Sequence, residues 1–389
     1  MSAAPPRRWD IFCRVIDNFG DIGVSWRLAR QLALEQGAMV RLWVDNLAAL
    51  RALCPEVDIG AAEQTRQGVH VFPYIEGAEY PPPAEVVIDA FGCGLPPRYL
   101  AQMAKAGSDA SRTVWIVLEY LSAEPWVREY HRLPSPHPQT GLPRHFFFPG
   151  VAAGTGGVLR ESTLLAKRDA FDADEHSRKN WWAGHGFDPV PQDAVTLSLF
   201  AYPYAPWREL LAACEVGSMQ VVVAIPDGAL ASAIRNTRSA GAAKRVQRGN
   251  LELRFVPFVP QVAYDELLWA SDINFVRGED SFVRAQWAGR PFVWHIYPQA
   301  EAAHEAKLRA FLDTVRGVLP AEAVQPVRDL WLAWNGAVPK LSMAQAWQGF
   351  LACRQAQRPG LQLWREKLLD LGDLAANLHG FCHGLMSKK

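Results

Sequence analysis

The sequence predicts an α/β protein made of two doubly wound halves and a helical tail. Three features predict it. Apolar strand-like runs alternate with helical patterns through the first half, the same alternation restarts near Pro189, and the residues that end the strand-like runs are polar. Alternation of this kind argues for parallel βαβ units with helices on both faces of each sheet. Two such halves are expected to leave a cleft, the usual place for a small ligand.

In the first half the candidate strands are residues 9–16, 39–44, 69–72, 85–90 and 113–118, with helical patterns at 25–35, 47–52 and 97–106. Asp45, Asp89 and Glu119 stand at strand ends. From 122 to 160 the segment is rich in Pro, His and aromatic residues and holds no clear period. Loops of that length are usually functional or ordered by a partner; the alternative is a wrapped surface loop. Residues 161–182 read as one charged helix, and the polar, turn-rich stretch 183–192 is the expected domain boundary. The second series places strands at 194–200, 219–224, 251–255, 273–276 and 292–295, and helices at 207–214, 261–270 and 281–288. From Glu301 onward the pattern is largely helical.

A chain of 389 residues is too long for one ordinary core. Its 49% hydrophobic and 21% charged residues are ordinary for a soluble globular protein. Lys plus Arg and Asp plus Glu balance at 40 each, so composition makes no electrostatic case for nucleic acid. No apolar run reaches the ~18 residues of a membrane span. The opening MSAAPPRRWD lacks the apolar centre of a signal peptide. Six cysteines without a CxxC pair, several in apolar runs, read as reduced thiols in a cytoplasmic protein. Fifteen tryptophans are unusual; many are expected in the core, others in stacking or protein recognition.

The stretch DNFGDIG, residues 17–23, follows the first strand and opens a helix. That puts it at the carboxyl edge of the predicted sheet, where open α/β folds bind ligands. Gly20 and Gly23 permit close backbone approach. Asp17 and Asp21 are wrong for cradling a phosphate, because a helix N-terminus attracts anions and carboxylates would repel one. They suit a cationic or proton-donating ligand. The alternative is that Asp21 caps the helix and Asp17 ends the strand.

In the second half VRGEDSFVRAQ, residues 276–286, again joins a strand to a helix. Asp280 and Ser281 are natural N-cap residues, and the N–H groups after them form an anion site. Arg277 offers a bidentate phosphate contact and Glu279 an acceptor for hydroxyl groups. The alternative is a capped helix with an internal Arg–Glu pair. Two prolines stiffen FVPFVPQ, residues 255–261, where Phe258 either stacks on a nucleobase or packs in the core. Phe200 and Tyr202 of FAYPY stand at another strand end. The second half thus suits a nucleotide diphosphate and the first an acceptor bearing N–H or O–H donors, which describes a two-domain glycosyltransferase. GxGxxG, GxxxxGK[ST] and GxSxG loops are absent. His379, Cys382 and His383 are close in sequence, but nothing else has metal spacing.

The segments CRVIDNFGDIGVSWRLARQL, VIDAFGCGLP, WIVLEYLSAEPWV, FFFPG, SLFAY, FVPQ and RGEDSFVRAQWAGRPFVWHIYPQ resemble the protein-arginine rhamnosyltransferase (EarP) family, from about residue 9 to the end. The resemblance implies a GT-B fold, two Rossmann-like domains facing a cleft with a C-terminal helical tail. Residues 1–184, joined by helices of about 361–389, would form the acceptor domain, and 185–360 the nucleotide-sugar domain. The implied reaction is inverting transfer of rhamnose from dTDP-β-L-rhamnose to an arginine of translation elongation factor P, which then rescues ribosomes stalled on polyproline. Carried over, Asp21 is the general base, Asp17 its partner at the guanidinium and Glu279 a third catalytic residue. Nucleotide contacts fall on Phe200, Tyr202, Phe258 (thymine stacking), Gln261, Arg277, Gly278, Asp280 and Ser281. No metal, other cofactor, nucleic acid or membrane is expected, and the chain is expected to act as a monomer. Three other readings stay open: a GT-B transferase with another acceptor, a non-catalytic nucleotide-sugar or protein-binding module, and a sugar-nucleotide epimerase on the same fold.

Overall fold

The structure, a computed structural model, describes residues 5–17, 19–106, 113–238, 240–299, 303–337 and 341–387. Asn18 of the DNFGDIG stretch and the first four residues lie outside them. The chain divides into two compact units, Met1–Ser162 with Leu368–Lys389, and Thr163–Lys367.

Among the described residues the first unit holds an eight-stranded sheet. Its strands are β1 (Arg8–Cys13), β2 (Met39–Val44), β3 (Gln64–Arg66), β4 (Val69–Pro73), β5 (Val86–Ala90), β6 (Val114–Leu118), β7 (Pro134–Pro136) and β8 (Pro143–Phe147). They run in the order β3-β4-β2-β1-β5-β6-β8-β7. The inner pairs are parallel, and antiparallel hairpins close both edges. β5 and β6 are buried at every position, as parallel strands covered on both faces must be. Phe12, Trp43, Tyr74, Tyr80, Tyr99 and Trp115 pack together in one cluster of this unit.

The stretch 122–160 is more regular than its sequence indicates, since it supplies β7, β8 and the short helix Val127–Tyr130. β7 reads PSP and pairs only with β8. Proline cannot donate to a ladder, so an edge strand tolerates it while its composition hides the strand.

The second unit holds β9 (Val195–Leu199), β10 (Val221–Pro226), β11 (Arg245–Arg248), β12 (Leu251–Val256), β13 (Ile273–Arg277) and β14 (Phe292–His295), in the order β11-β12-β10-β9-β13-β14. All pairs are parallel except the edge hairpin β11–β12. Among the described residues nine tryptophans are fully buried, and seven of them, Trp182, Trp207, Trp287, Trp331, Trp334, Trp347 and Trp364, belong to this unit.

Two expectations about boundaries change. The charged stretch 161–182 is two helices, Leu164–Ala173 and Ser177–Gly184. Between them Asp174 accepts from the His176 N–H at 2.9 Å and from the Ser177 hydroxyl at 2.9 Å, a local arrangement that competes with helix continuation. The units also divide at 162/163 rather than 184/185, because these helices belong to the second core. Phe171 packs on Trp269 at 5.6 Å, and the Arg254 guanidinium lies 4.7 Å over Trp182. At the other crossing, Trp364 donates to Gln286 Oε1 at 3.0 Å, so the division falls at 367/368 rather than 360/361. The last helix, Leu374–Ser387, lies in the first unit: Gln31 donates to Asp373 at 2.8 Å, and His379 stacks on Trp9 at 5.9 Å. Cys382 is buried there.

Candidate active site

In both units the chain leaves its first strand in one direction and later returns to that strand's other side. β1 lies between β2 and β5, and β9 between β10 and β13. Such reversals are topological switch points, where the loops after the two adjacent strands part and leave room for a ligand. The flanking loops are DNFGDIG after β1, the Phe91 turn after β5, the Phe200–Tyr202 segment after β9, and the Arg277–Ser281 turn after β13.

In the first unit Asp21 lies in the first turn of the helix Gly20–Glu35, whose N-cap is Phe19. Its side chain reaches back rather than capping that helix. Oδ2 accepts the Ile16 N–H at 2.7 Å and the Asp17 N–H at 2.8 Å, and Oδ1 accepts the Tyr120 hydroxyl at 3.0 Å. Asp21 is 1% exposed and Asp17 9%. The Asp17 carboxylate lies across Gly20, where a Cβ would stand 2.4 Å from Oδ2, so only glycine admits it. Both carboxylates therefore belong to one tight turn.

Tyr120 was not singled out in the sequence, because it lies 99 residues from Asp21 and fits no spacing rule. Its ring stacks on Phe91 at 4.5 Å, with 19° between planes. Phe91 has φ +59°, a left-handed backbone that costs a bulky residue energy and concentrates at functional sites. Two other strand-end carboxylates serve the loops: Asp45 accepts the Val15 N–H at 2.9 Å and Asp89 the Gly94 N–H at 3.0 Å. Burial holds the Asp89 carboxyl above its ordinary range.

In the second unit the Arg277 guanidinium lies 4.7 Å over the Phe200 ring and 4.6 Å over the Tyr202 ring. Gly278 follows with φ +61°, and its carbonyl accepts the Trp294 indole N–H at 2.6 Å. The N-cap of the helix Asp280–Ala288 is Glu279, not Asp280 or Ser281, and it makes no side-chain cap bond. Ser281 instead stitches the turn: its hydroxyl donates to the Arg277 carbonyl at 2.5 Å and accepts the Arg277 N–H at 3.1 Å. Gln261, 1% exposed, donates to Asp280 Oδ2 at 3.0 Å and ties the loop after β12 to the helix start. Phe258 is half-buried on that loop, and Glu279 is half-buried beside Asp280.

His295, beside Arg277 across the β13–β14 pair, is a second residue the sequence did not single out. Its Nδ1 accepts the Tyr202 N–H at 3.2 Å, which leaves the proton on Nε2. Burial, with Arg277 nearby, pushes its titration down to about 3, so the imidazole is neutral at neutral pH. The second unit thus groups Phe200, Tyr202, Gln261, Arg277, Gly278, Asp280 and Ser281 around one turn, and the first groups Asp17 and Asp21 around another. Among the described residues, no three His, Cys, Asp or Glu side chains are gathered to hold a metal ion.

Comparison with known proteins agrees with this layout. Residues 9–383 match the family model for the elongation-factor P (EF-P) rhamnosyltransferase EarP. The protein-arginine rhamnosyltransferase of Pseudomonas putida is 44% identical over 380 residues, covering 96% of this chain and 98% of its own length. That of Pseudomonas aeruginosa is 42% identical over 383 residues, covering 96% and 98%. A solved structure described as the structural basis for EarP-mediated arginine glycosylation of translation elongation factor EF-P aligns with a TM-score of 0.65 at 33% identity, over 96% of this chain and 98% of the other. MurG of Acinetobacter baumannii aligns with a TM-score of 0.50 at 13% identity over 99% of this chain and 100% of its own, a likeness of fold alone. The fold is therefore the α/β GT-B type, and the chain belongs to the EarP family of protein-arginine rhamnosyltransferases.

Proposed function

We propose that this protein transfers L-rhamnose from dTDP-β-L-rhamnose to an arginine side chain of translation elongation factor P, with inversion at the anomeric carbon. The observation that carries the reading is the opposite chemistry at the two switch points: buried carboxylates in the first unit, and an arginine laid on aromatic rings before a helix N-terminus in the second. The former suits a guanidinium and the latter a nucleoside diphosphate. The names of the relatives and of the solved structure support the acceptor. With a translation factor as acceptor the enzyme works in the cytoplasm, as a monomer and apart from nucleic acid. Among the described residues no helix is long and apolar enough to cross a membrane. The modified factor then serves ribosomes stalled on polyproline.

A guanidinium keeps its proton until well above pH 12, whereas a carboxylate accepts one only near pH ~4. Prior deprotonation by an aspartate is therefore far uphill. Asp17 and Asp21 instead grip the guanidinium by charge-assisted hydrogen bonds, which localise and orient it. A carboxylate offers about four acceptor positions. Three on Asp21 are occupied by Ile16, Asp17 and Tyr120, which leaves one on Oδ1 for the substrate N–H. As the nitrogen forms its bond to the anomeric carbon, the carbon–oxygen bond to dTDP breaks. One N–H proton passes to Asp21, and the product guanidinium keeps its positive charge.

Phe258 stacks on the thymine and Gln261 with Asp280 orients the nucleoside. Arg277, Ser281 and the N–H groups of the helix Asp280–Ala288 meet the charge growing on the diphosphate, with no metal required. Gly278 lets the backbone approach, Phe200 and Tyr202 hold the Arg277 plane, and Glu279 binds the donor sugar. The test is the intact mass of elongation factor P after incubation with the protein and dTDP-β-L-rhamnose, with and without EDTA. One added deoxyhexose in both samples is expected. No addition while dTDP still binds would send the search to another acceptor, and loss with EDTA alone would overturn the metal-free account.

A further inference from the structure

Tyr264 opens the helix Tyr264–Ala270, three residues after Gln261, and has no role in the account above. Its side chain is 8% exposed and its ring packs edge-on against Phe200 at 5.9 Å. The hydroxyl is fully buried and makes no hydrogen bond of ordinary geometry. It faces the Ser281 side chain, with Asp280, Asp265 and Arg277 as the neighbouring charges. A buried phenol oxygen without a partner destabilises the empty protein, and phenylalanine would fill the same space without that cost. An unpaired hydroxyl aimed at a ligand-binding turn is explained if its partner forms only when the ligand is present.

The bonding of Ser281 identifies that partner. A serine hydroxyl has one proton and two acceptor positions. Here the proton goes to the Arg277 carbonyl and one acceptor position takes the Arg277 N–H. The second acceptor position takes no donor of ordinary geometry, and the Tyr264 hydroxyl is its neighbour. We infer that Tyr264 is a positioning residue of the donor site, its hydroxyl donating to Ser281 Oγ when a nucleoside diphosphate occupies the start of the helix Asp280–Ala288. Ser281 then turns its own proton from the Arg277 carbonyl to a phosphate oxygen, and its oxygen stays held by Arg277 N–H and Tyr264. This rests on the donor-site reading given above.

The experiment is calorimetric titration of dTDP into wild type, Tyr264→Phe, Ser281→Ala and the double variant, with the melting temperature of each free protein. Tyr264→Phe is expected to bind dTDP about threefold to tenfold more weakly while melting at or above the wild-type temperature. In the Ser281→Ala background, Tyr264→Phe is expected to have little further effect. Unchanged affinity in Tyr264→Phe, the same fold-loss in both backgrounds, or a lowered melting temperature of free Tyr264→Phe would overturn the inference. A wild type that ignores dTDP would overturn the donor-site reading itself, and this inference with it.

Discussion

After β1 the chain turns so that Asp21 gathers two backbone N–H groups and a tyrosine hydroxyl. After β13 it turns so that Arg277 lies flat on two aromatic rings. Both turns flank the switch point of their sheet, one after its first strand and the other after the strand beside it, yet one fixes negative charge and the other positive. In the first, hydrogen bonds do the fixing, because a carboxylate is an acceptor and the backbone supplies donors. In the second, ring faces do it, because a guanidinium is planar and its charge is attracted to an aromatic face. The same winding therefore carries opposite charge at the two turns.

The largest effect is expected at Asp21. Asn there would present an NH2 group to N–H donors or to the Tyr120 hydroxyl, and would remove the proton acceptor. Asp21→Asn should lower kcat by about 10²–10⁴ and destabilise the fold by about 1–3 kcal/mol, with dTDP affinity retained. Single-turnover mass spectrometry, urea unfolding and dTDP titration measure the three; weakened dTDP binding equal to the loss of rate would erase the contrast between the turns.

Arg277→Ala should do the converse, weakening dTDP by about 10- to 100-fold while leaving the affinity for elongation factor P unchanged. Titration with each ligand separately decides it, and equal loss for both would break the division of labour. A smaller effect is expected from Tyr120→Phe, which removes one of three donors to Asp21. About a tenfold fall in kcat with KM for the donor unchanged is the expected split, since one hydrogen bond to the carboxylate is at stake. A change in donor KM alone would mean that Tyr120 does not act through Asp21.

The smallest effect concerns pH, and each unit contributes one group. Burial pushes His131 down to about 4 in the first unit and His295 down to about 3 in the second. In the unfolded chain both titrate near 6.5. Below that value the unfolded chain takes up protons that the folded chain refuses. The stability these two histidines contribute is thus fully present above about pH 6.5 and is lost as pH falls through 4 toward 3. Urea midpoints should fall over that window, and less steeply in His295→Gln; an identical slope in that variant would discount His295.

Much of this was legible in the residues. Central strands such as β6 and β10 are continuous apolar runs, and the structure has them within two residues of where the pattern does. The edge strands β3, β7 and β11 were not legible, because half-exposed strands of three or four residues carry no alternation and β7 is mostly proline. In the candidate site, Asp17, Asp21 and Arg277 could be named because charged residues beside glycines at strand ends are conspicuous. Ser281 was named for the wrong reason, since its hydroxyl bonds backward to Arg277 instead of capping the helix.

What the sequence by itself determined is local and periodic: which runs are strands, which loops end them, and which of those loops carry charge. What only the tertiary structure decided is which distant groups complete each turn. Tyr120 reaches Asp21, His295 lies beside Arg277, and Tyr264 faces Ser281, each through packing between elements of one unit. Hydrogen bonds and ring contacts act over a few ångströms in space regardless of separation along the chain, and no spacing rule encodes them.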